Sequence, residues 1–248
     1  MDELPRPLEL SQALDELRED NWAQLGVKYA AIEISQHVKI PLHFILSLAP
    51  NDGGNEPTND QTLAVRLSLL AFYATRGHEI PNIFQLQAAL ASITRNSLIV
   101  AGTGFGKTHI MALLMLLEKS DSKNVFITVS PLKRLQVTQV ASFLLKYGIH
   151  TVSINHDTPK GIDYWRENIH DGWKGQSQQG TAQHLIVTAE QLFKSPEGHL
   201  TPFALTLRNP AFRQRIARVN VDEIHFIHYY GMERFGIPPF SFCLGTLF

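Results

Sequence analysis

The chain has 248 residues, of which 44% are hydrophobic and 18% charged, a balance that excludes a disordered polymer and fits one large domain with an appended segment. No apolar run approaches the roughly 20 residues that cross a bilayer, and the acidic start lacks a signal-peptide pattern, so a soluble, non-secreted protein is expected. The single cysteine, Cys243, rules out an internal disulfide or a cysteine-built metal site, and the formal charge of -1 is unevenly spread: residues 1–60 carry 11 Asp/Glu against 4 Lys/Arg, the remainder 12 against 18. The basic remainder permits contact with phosphate backbones without demanding it.

Residues 8–40 read as helical, since Leu10, Ala13, Leu14 and Leu17 follow the i, i+3, i+4, i+7 spacing and Ser11 can cap. A polar segment at 51–60, rich in Asn, Gly and Pro, breaks the pattern and reads as a linker or loop. Residues 61–76 look helical again, with Gly77 able to end them. Residues 1–76 are thus expected to form a small helical segment with no chemical motif, and 77–248 a second domain.

From about residue 80 the texture changes. Short β-rich runs at 97–101, 124–129, 151–154, 184–188 and 216–221 alternate with helical stretches at 107–119, 132–147, 160–170 and 203–215, while 171–183 reads as a Gly/Gln-rich surface loop. Strand and helix alternating at this spacing predict an α/β fold: a parallel sheet with helices on both faces.

The run Ala101, Gly102, Thr103, Gly104, Phe105, Gly106, Lys107, Thr108 follows a predicted strand and opens a predicted helix. In that setting the glycines let successive N–H groups converge on phosphate oxygens, and the helix N-terminus adds partial positive charge. Lys107 is expected to reach the β- and γ-phosphates of a nucleotide, and the Thr108 hydroxyl to ligate Mg²⁺. Ala101 stands where the usual pattern has glycine.

A phosphate loop of this kind needs an acidic partner on another strand. Asp222 and Glu223 lie at the predicted end of 216–221, where Asp222 is expected to hold Mg²⁺ and Glu223 to orient and deprotonate an attacking water. Asn220 is out of place in a strand buried on both faces. His225 and His228 beside these carboxylates lack a further spaced ligand set for zinc. A serine hydrolase is disfavoured by the missing Gly-x-Ser-x-Gly elbow.

Together these motifs resemble the first RecA-like domain of superfamily-two helicases, most closely the RecQ-type DNA helicases of fungal kind, over about residues 80–240. Phe84-Gln-Leu-Gln-Ala-Ala-Leu90 is similar to the Q motif, which implies that Gln85 reads adenine edges, with Gln87 as the alternative. Val129-Ser-Pro-Leu132, followed by Leu135 and Gln139-Val140, resembles motif Ia, residues 155–159 resemble the segment after the third strand, and 187–192 resemble motif Ic. In the family these loops grip the backbone of a single strand. Asp222-Glu-Ile-His225 resembles motif II, and the aromatic run from Phe226 to Gly231 stands where the family carries a DNA-sensing loop.

The resemblance implies a RecA-like P-loop NTPase domain using ATP and Mg²⁺, a 3′-5′ DNA helicase by type, acting on single-stranded or tailed duplex DNA in the nucleus. Motif III, a second RecA-like domain and the motif VI arginine are not seen before Phe248. On that basis the chain is expected to bind ATP but hydrolyse it poorly, with a second RecA-like domain supplied separately. The competing expectation is a non-motor, ATP-dependent nucleic-acid-binding module or degenerate remnant. A GTPase or transporter ATPase is disfavoured by the missing Asn-Lys-x-Asp and Leu-Ser-Gly-Gly-Gln, and an RNA helicase is the remaining neighbour.

Overall fold

The computed structural model describes residues 7–36, 40–48, 57–102, 104–169, 182–192 and 199–223. It divides into two compact units, the first running to Ser122 and taking in Lys146–Gly148, the second comprising Lys123–Leu145 and the chain from Ile149 onward.

The first unit is helical. Helices α1 (Pro7–Glu19), α2 (Trp22–Gln36) and α3 (Leu42–Ser47) precede α4 (Asn59–Ala74), α5 (Ile83–Thr94) and α6 (Lys107–Leu116). The single helical stretch expected over 8–40 is broken because Asn21 restarts it: the Asn21 N–H donates to Gln24 Oε1 (2.8 Å) and the Gln24 N–H to Asn21 Oδ1 (3.0 Å), a reciprocal cap. Arg66 closes the end of α1 by donating to the carbonyls of Leu17 (3.1 Å) and Asp20 (2.6 Å), and Arg18 caps α6 through the Leu116 carbonyl (2.9 Å). Cations at helix C-termini satisfy orphan carbonyls and complement the dipole.

Helix α4 is the centre of this unit, with Ala64, Leu67, Leu69, Leu70 and Ala71 fully buried. Apolar residues on more than one face mark a helix surrounded by others, and α1, α2, α3, α5 and α6 all pack on it. Thr58 starts it with a capping box to Gln61. Gly77, at φ 82°, donates its N–H back to the Phe72 carbonyl (2.8 Å) and ends it as the sequence implied.

The second unit is an α/β layer. Strands β1 (Val125–Val129), β2 (Thr151–Ile154), β3 (His184–Val187) and β4 (Ile216–Val221) form a sheet of order β2-β3-β1-β4, every pairing parallel. On one face Val125, Ile127, Val129, Leu185, Val187, Val152 and Ile154 build the core. Against it pack Tyr164 and Trp165 of α8 (Ile162–Asn168), Phe203 and Leu207 of α9 (Pro202–Leu207), and Phe212 of α10 (Pro210–Arg213). Strand alternation turns His184 to the opposite face, where Phe143 of α7 (Lys133–Tyr147) meets its ring edge-on at 4.5 Å. Helices therefore cover both faces, as the alternating pattern requires.

Two further expectations are corrected. Residues 97–101 form no strand: they carry no ladder, and Leu98 and Val100 are 70% and 84% exposed. Their β-like composition reflects propensity, which yields a strand only where a neighbour supplies hydrogen bonds and side-chain contacts. The helix expected over 203–215 is two short ones, because Pro210 begins a second, with Asn209 capping the Ala211 N–H at 2.9 Å. The loop at 171–181 and the aromatic run from Phe226 to Gly231, with His225 and His228, lie outside the described residues, as do 51–56 of the polar segment.

Candidate functional site

The glycine-rich segment belongs to the first unit. Of its residues Thr103 lies outside the described set. Gly104 and Gly106 have φ of 84° and 76°, the left-handed region that residues with a Cβ avoid. Gly106 is the N-cap of α6 and offers no side chain to the helix, so the first-turn N–H groups of Lys107 and Thr108 have no capping acceptor there. Gly102 lies beside the Phe105 ring, and Phe105 is 56% exposed. The Lys107 ammonium folds back and donates to the Ala101 carbonyl at 3.2 Å. Two left-handed glycines, an uncapped helix start and a cation that among the described residues is tied only to its own loop form a donor set suited to a polyphosphate.

Gln85 is packed directly behind this loop. Its Oε1 accepts from the Asn82 N–H (3.0 Å), the other half of the box in which Asn82 Oδ1 accepts from the Gln85 N–H (2.9 Å). Its Nε2 donates to the Phe105 carbonyl at 3.1 Å. Both ends of the amide are thus engaged, and the side chain braces the loop where a Cβ on Gly106 would come within 2.3 Å of Nε2.

Two turns of chemistry that no spacing announced lie next to it. His109, on α6 just after Thr108, is buried with Nε2 lacking a hydrogen-bond partner, and its Nδ1 sits 3.7 Å from Glu79 Oε2. Burial holds its pKa below the usual value against the pull of Glu79, so at neutral pH this contact is not an ion pair. Glu79 accepts instead from Lys146 Nζ (2.6 Å) and the Tyr147 hydroxyl (2.7 Å). Burial would raise its pKa, but those two bonds keep it below the usual carboxylate value. Burial, then the Glu79 carboxylate, pushes the Tyr147 phenol far up.

The acidic pair belongs to the second unit, just past β4. The Asp222 N–H donates to the Val129 carbonyl (2.9 Å), prolonging the β1–β4 ladder. Asp222 Oδ1 accepts from the Glu223 N–H (3.0 Å) and Oδ2 from Gln139 Nε2 (2.8 Å). Each oxygen keeps a further lone pair, so the carboxylate can bind a cation. Glu223 has φ 52°, a left-handed conformation rare for a residue with a Cβ. Asn220 is explained by its place: among the described residues β4 is paired on one side only and is half-buried, and Asn220 Nδ2 donates to Thr128 Oγ1 at 3.5 Å.

A model of the DEAD/DEAH box helicase family matches residues 83–234, well over half the chain. The chain belongs to that family. No curated protein and no solved structure matches it. As a DEAD/DEAH box helicase it is a superfamily-two, ATP-dependent nucleic-acid helicase by family, built on a RecA-like α/β domain preceded by helices, and nucleic acid is its partner class. Members of the family use ATP, usually with Mg²⁺. Among the described residues no cluster of three His, Cys, Asp or Glu side chains could hold a metal by itself. No described helix is long and apolar enough to cross a membrane.

Proposed function

We propose that this helicase is of RecQ type: a 3′-5′ DNA helicase whose residues 77–248 are the ATP-binding domain, with residues 1–76 a helical segment joined through the polar stretch near 51–60. The observation that carries the reading is the left-handed Gly104–Gly106 turn leading into the uncapped start of α6, in a chain of the helicase family. The RecQ type is supported by Ser130-Pro-Leu132 followed by Gln139-Val140, and by Asp222-Glu-Ile-His225. A nuclear location and single-stranded or tailed duplex DNA go with that type.

In this reading the backbone of Gly102, Thr103, Gly104, Phe105 and Gly106 cradles the phosphates, and Lys107 leaves the Ala101 carbonyl to meet the β- and γ-oxygens. Thr108 and Asp222 would hold Mg²⁺, which would neutralise charge developing on the transferred phosphoryl group. Glu223 orients the attacking water and takes its proton, and Gln85 sets ATP apart from GTP while bracing Phe105.

The test is ligand-induced stabilisation of purified protein, because a ligand that binds only the native state stabilises by RT ln(1 + [L]/Kd). ATP with Mg²⁺ is expected to raise the melting temperature, and Lys107→Ala to abolish the rise. An unchanged rise in Lys107→Ala refutes the phosphate-loop assignment. Equal affinity for single-stranded DNA and RNA of one sequence refutes the DNA assignment alone.

A further inference from the structure

Helix α7 places two glutamines three residues apart, on one face of the helix, over the carboxyl ends of the strands. Gln136 is fully buried and satisfied at both ends: its Nε2 donates to the Ser130 carbonyl (3.4 Å) and its Oε1 accepts from Asn155 Nδ2 (3.0 Å). That residue anchors the helix to the loops after β1 and β2. Gln139 reaches the loop after β4, where its Nε2 lies 2.8 Å from Asp222 Oδ2. An ionised carboxylate can only accept, so the amide must turn its NH₂ to Asp222 and its carbonyl away. The outward Oε1 is buried and has no hydrogen-bond partner among the described residues. A buried acceptor left unpaired opposes folding, and anchoring the helix, already done by Gln136, does not account for it.

We propose that Gln139 is a positioning residue for Asp222. Its NH₂ group fixes the carboxylate that the Glu223 N–H holds from the other side, and its Oε1, unpaired among the described residues, is left as an acceptor for water. Without it Oδ2 has lost its donor and the carboxylate is free to rotate about its Cβ–Cγ bond. The proposal rests on the reading of Asp222 as the Mg²⁺-holding acid.

The experiment measures binding of a fluorescent ATP analogue to the full chain, titrated with Mg²⁺ or in EDTA, for five proteins: the natural sequence, Gln139→Leu, Gln139→Met, Asp222→Ala and the Asp222→Ala/Gln139→Leu double variant. Mg²⁺ is expected to tighten binding to the natural protein, and Asp222→Ala to remove most of that gain. Both Gln139 variants are expected to raise the Mg²⁺ concentration required by about 10-fold, the usual scale for losing a group that orients a metal ligand. Binding in EDTA and the melting temperature stay unchanged, and the double variant behaves as Asp222→Ala alone. Natural-level Mg²⁺ dependence in both Gln139 variants, with Asp222→Ala impaired, overturns the positioning role and leaves the acid's role standing. An equal loss from Gln139→Leu in both backgrounds, weaker binding in EDTA, or a lowered melting temperature in both variants assigns Gln139 to structure and also overturns it. Undiminished Mg²⁺ dependence in Asp222→Ala refutes the underlying reading, and the proposal with it.

Discussion

His184 is the most constrained titratable side chain of the sheet. Thr151 Oγ1 donates to the Ile149 carbonyl (3.2 Å), so it receives the Nδ1 proton (3.3 Å), leaving Nε2 to accept from Thr128 Oγ1 at 2.8 Å. That arrangement exists only for the neutral ring, and burial pushes the pKa down to about 3. Between the ordinary value of about 6.5 and that figure the unfolded chain binds a proton the native protein refuses, so stability is complete above pH 6.5 and falls as pH drops. The slope is about 1.4 kcal/mol per pH unit, so about 2 kcal/mol is lost by pH 5 through this group alone. Urea midpoints measured at pH 7 and 5 check it: His184→Asn, which cannot titrate, lowers stability at pH 7 but flattens the dependence, and an equally steep decline in that variant contradicts the assignment. At Gly106 a methyl group meets both a left-handed φ and Gln85 Nε2. Gly106→Ala is therefore expected to cost at least about 1 kcal/mol and to weaken ATP binding, whereas Gly26→Ala, in a helix with open space around it, is expected to stabilise by roughly 0.4–1 kcal/mol; chemical denaturation of both variants gives the comparison.

At the scale of elements, what the sequence displayed was whatever local pattern controls. The strands at 125–129, 151–154, 184–187 and 216–221 were legible because each is a short β-rich run bounded by turn residues. Helix α4 was legible from its apolar residues and Gly77, and the glycine-rich turn into α6 from the spacing of Gly102, Gly104, Gly106 and Lys107. What stayed hidden depends on partners distant in the chain. Residues 97–101 have strand composition without a ladder, and the Asn21–Gln24 and Asn209 caps divide helices whose apolar period runs on. Glu79, His109 and Tyr147 acquire meaning only when stretches distant in the chain bring them together, and Gln139, which the sequence offered only as part of the motif Ia resemblance, meets Asp222 only in the fold. The contrast between 97–101 and α4 is measurable. Leu67→Ala, at a fully buried position, is expected to cost about 2–5 kcal/mol. Leu98→Ala, at a 70% exposed one, should fall within roughly 0.5 kcal/mol of the natural protein, and a loss comparable to that of Leu67→Ala in urea denaturation would show that 97–101 is a buried strand after all.

Over the whole molecule, acidic residues dominate the first 60 positions and basic ones the remainder, so the long-range field favours a polyanion approaching the later part of the chain. Lys133 and Arg134 begin α7, where positive charge opposes the helix dipole and a phosphate would relieve the conflict. They are not equivalent. Lys133 is paired with Asp157 and lies 3.5 Å from His156 Nε2, whereas Arg134 is exposed. On single strands each neutralised phosphate contributes about -0.7 to the slope of log affinity against log salt. Arg134→Ala is therefore expected to make that slope shallower by about 0.7 and to weaken binding equally across base sequences. Lys133→Ala should do less, because the ion pair with Asp157 must open before the ammonium can reach a phosphate, and Asp157→Asn should strengthen binding by freeing it. Fluorescence anisotropy with a labelled single-stranded oligonucleotide between about 50 and 200 mM salt separates these cases. A slope that none of the three substitutions moves would place the nucleic acid elsewhere on the molecule.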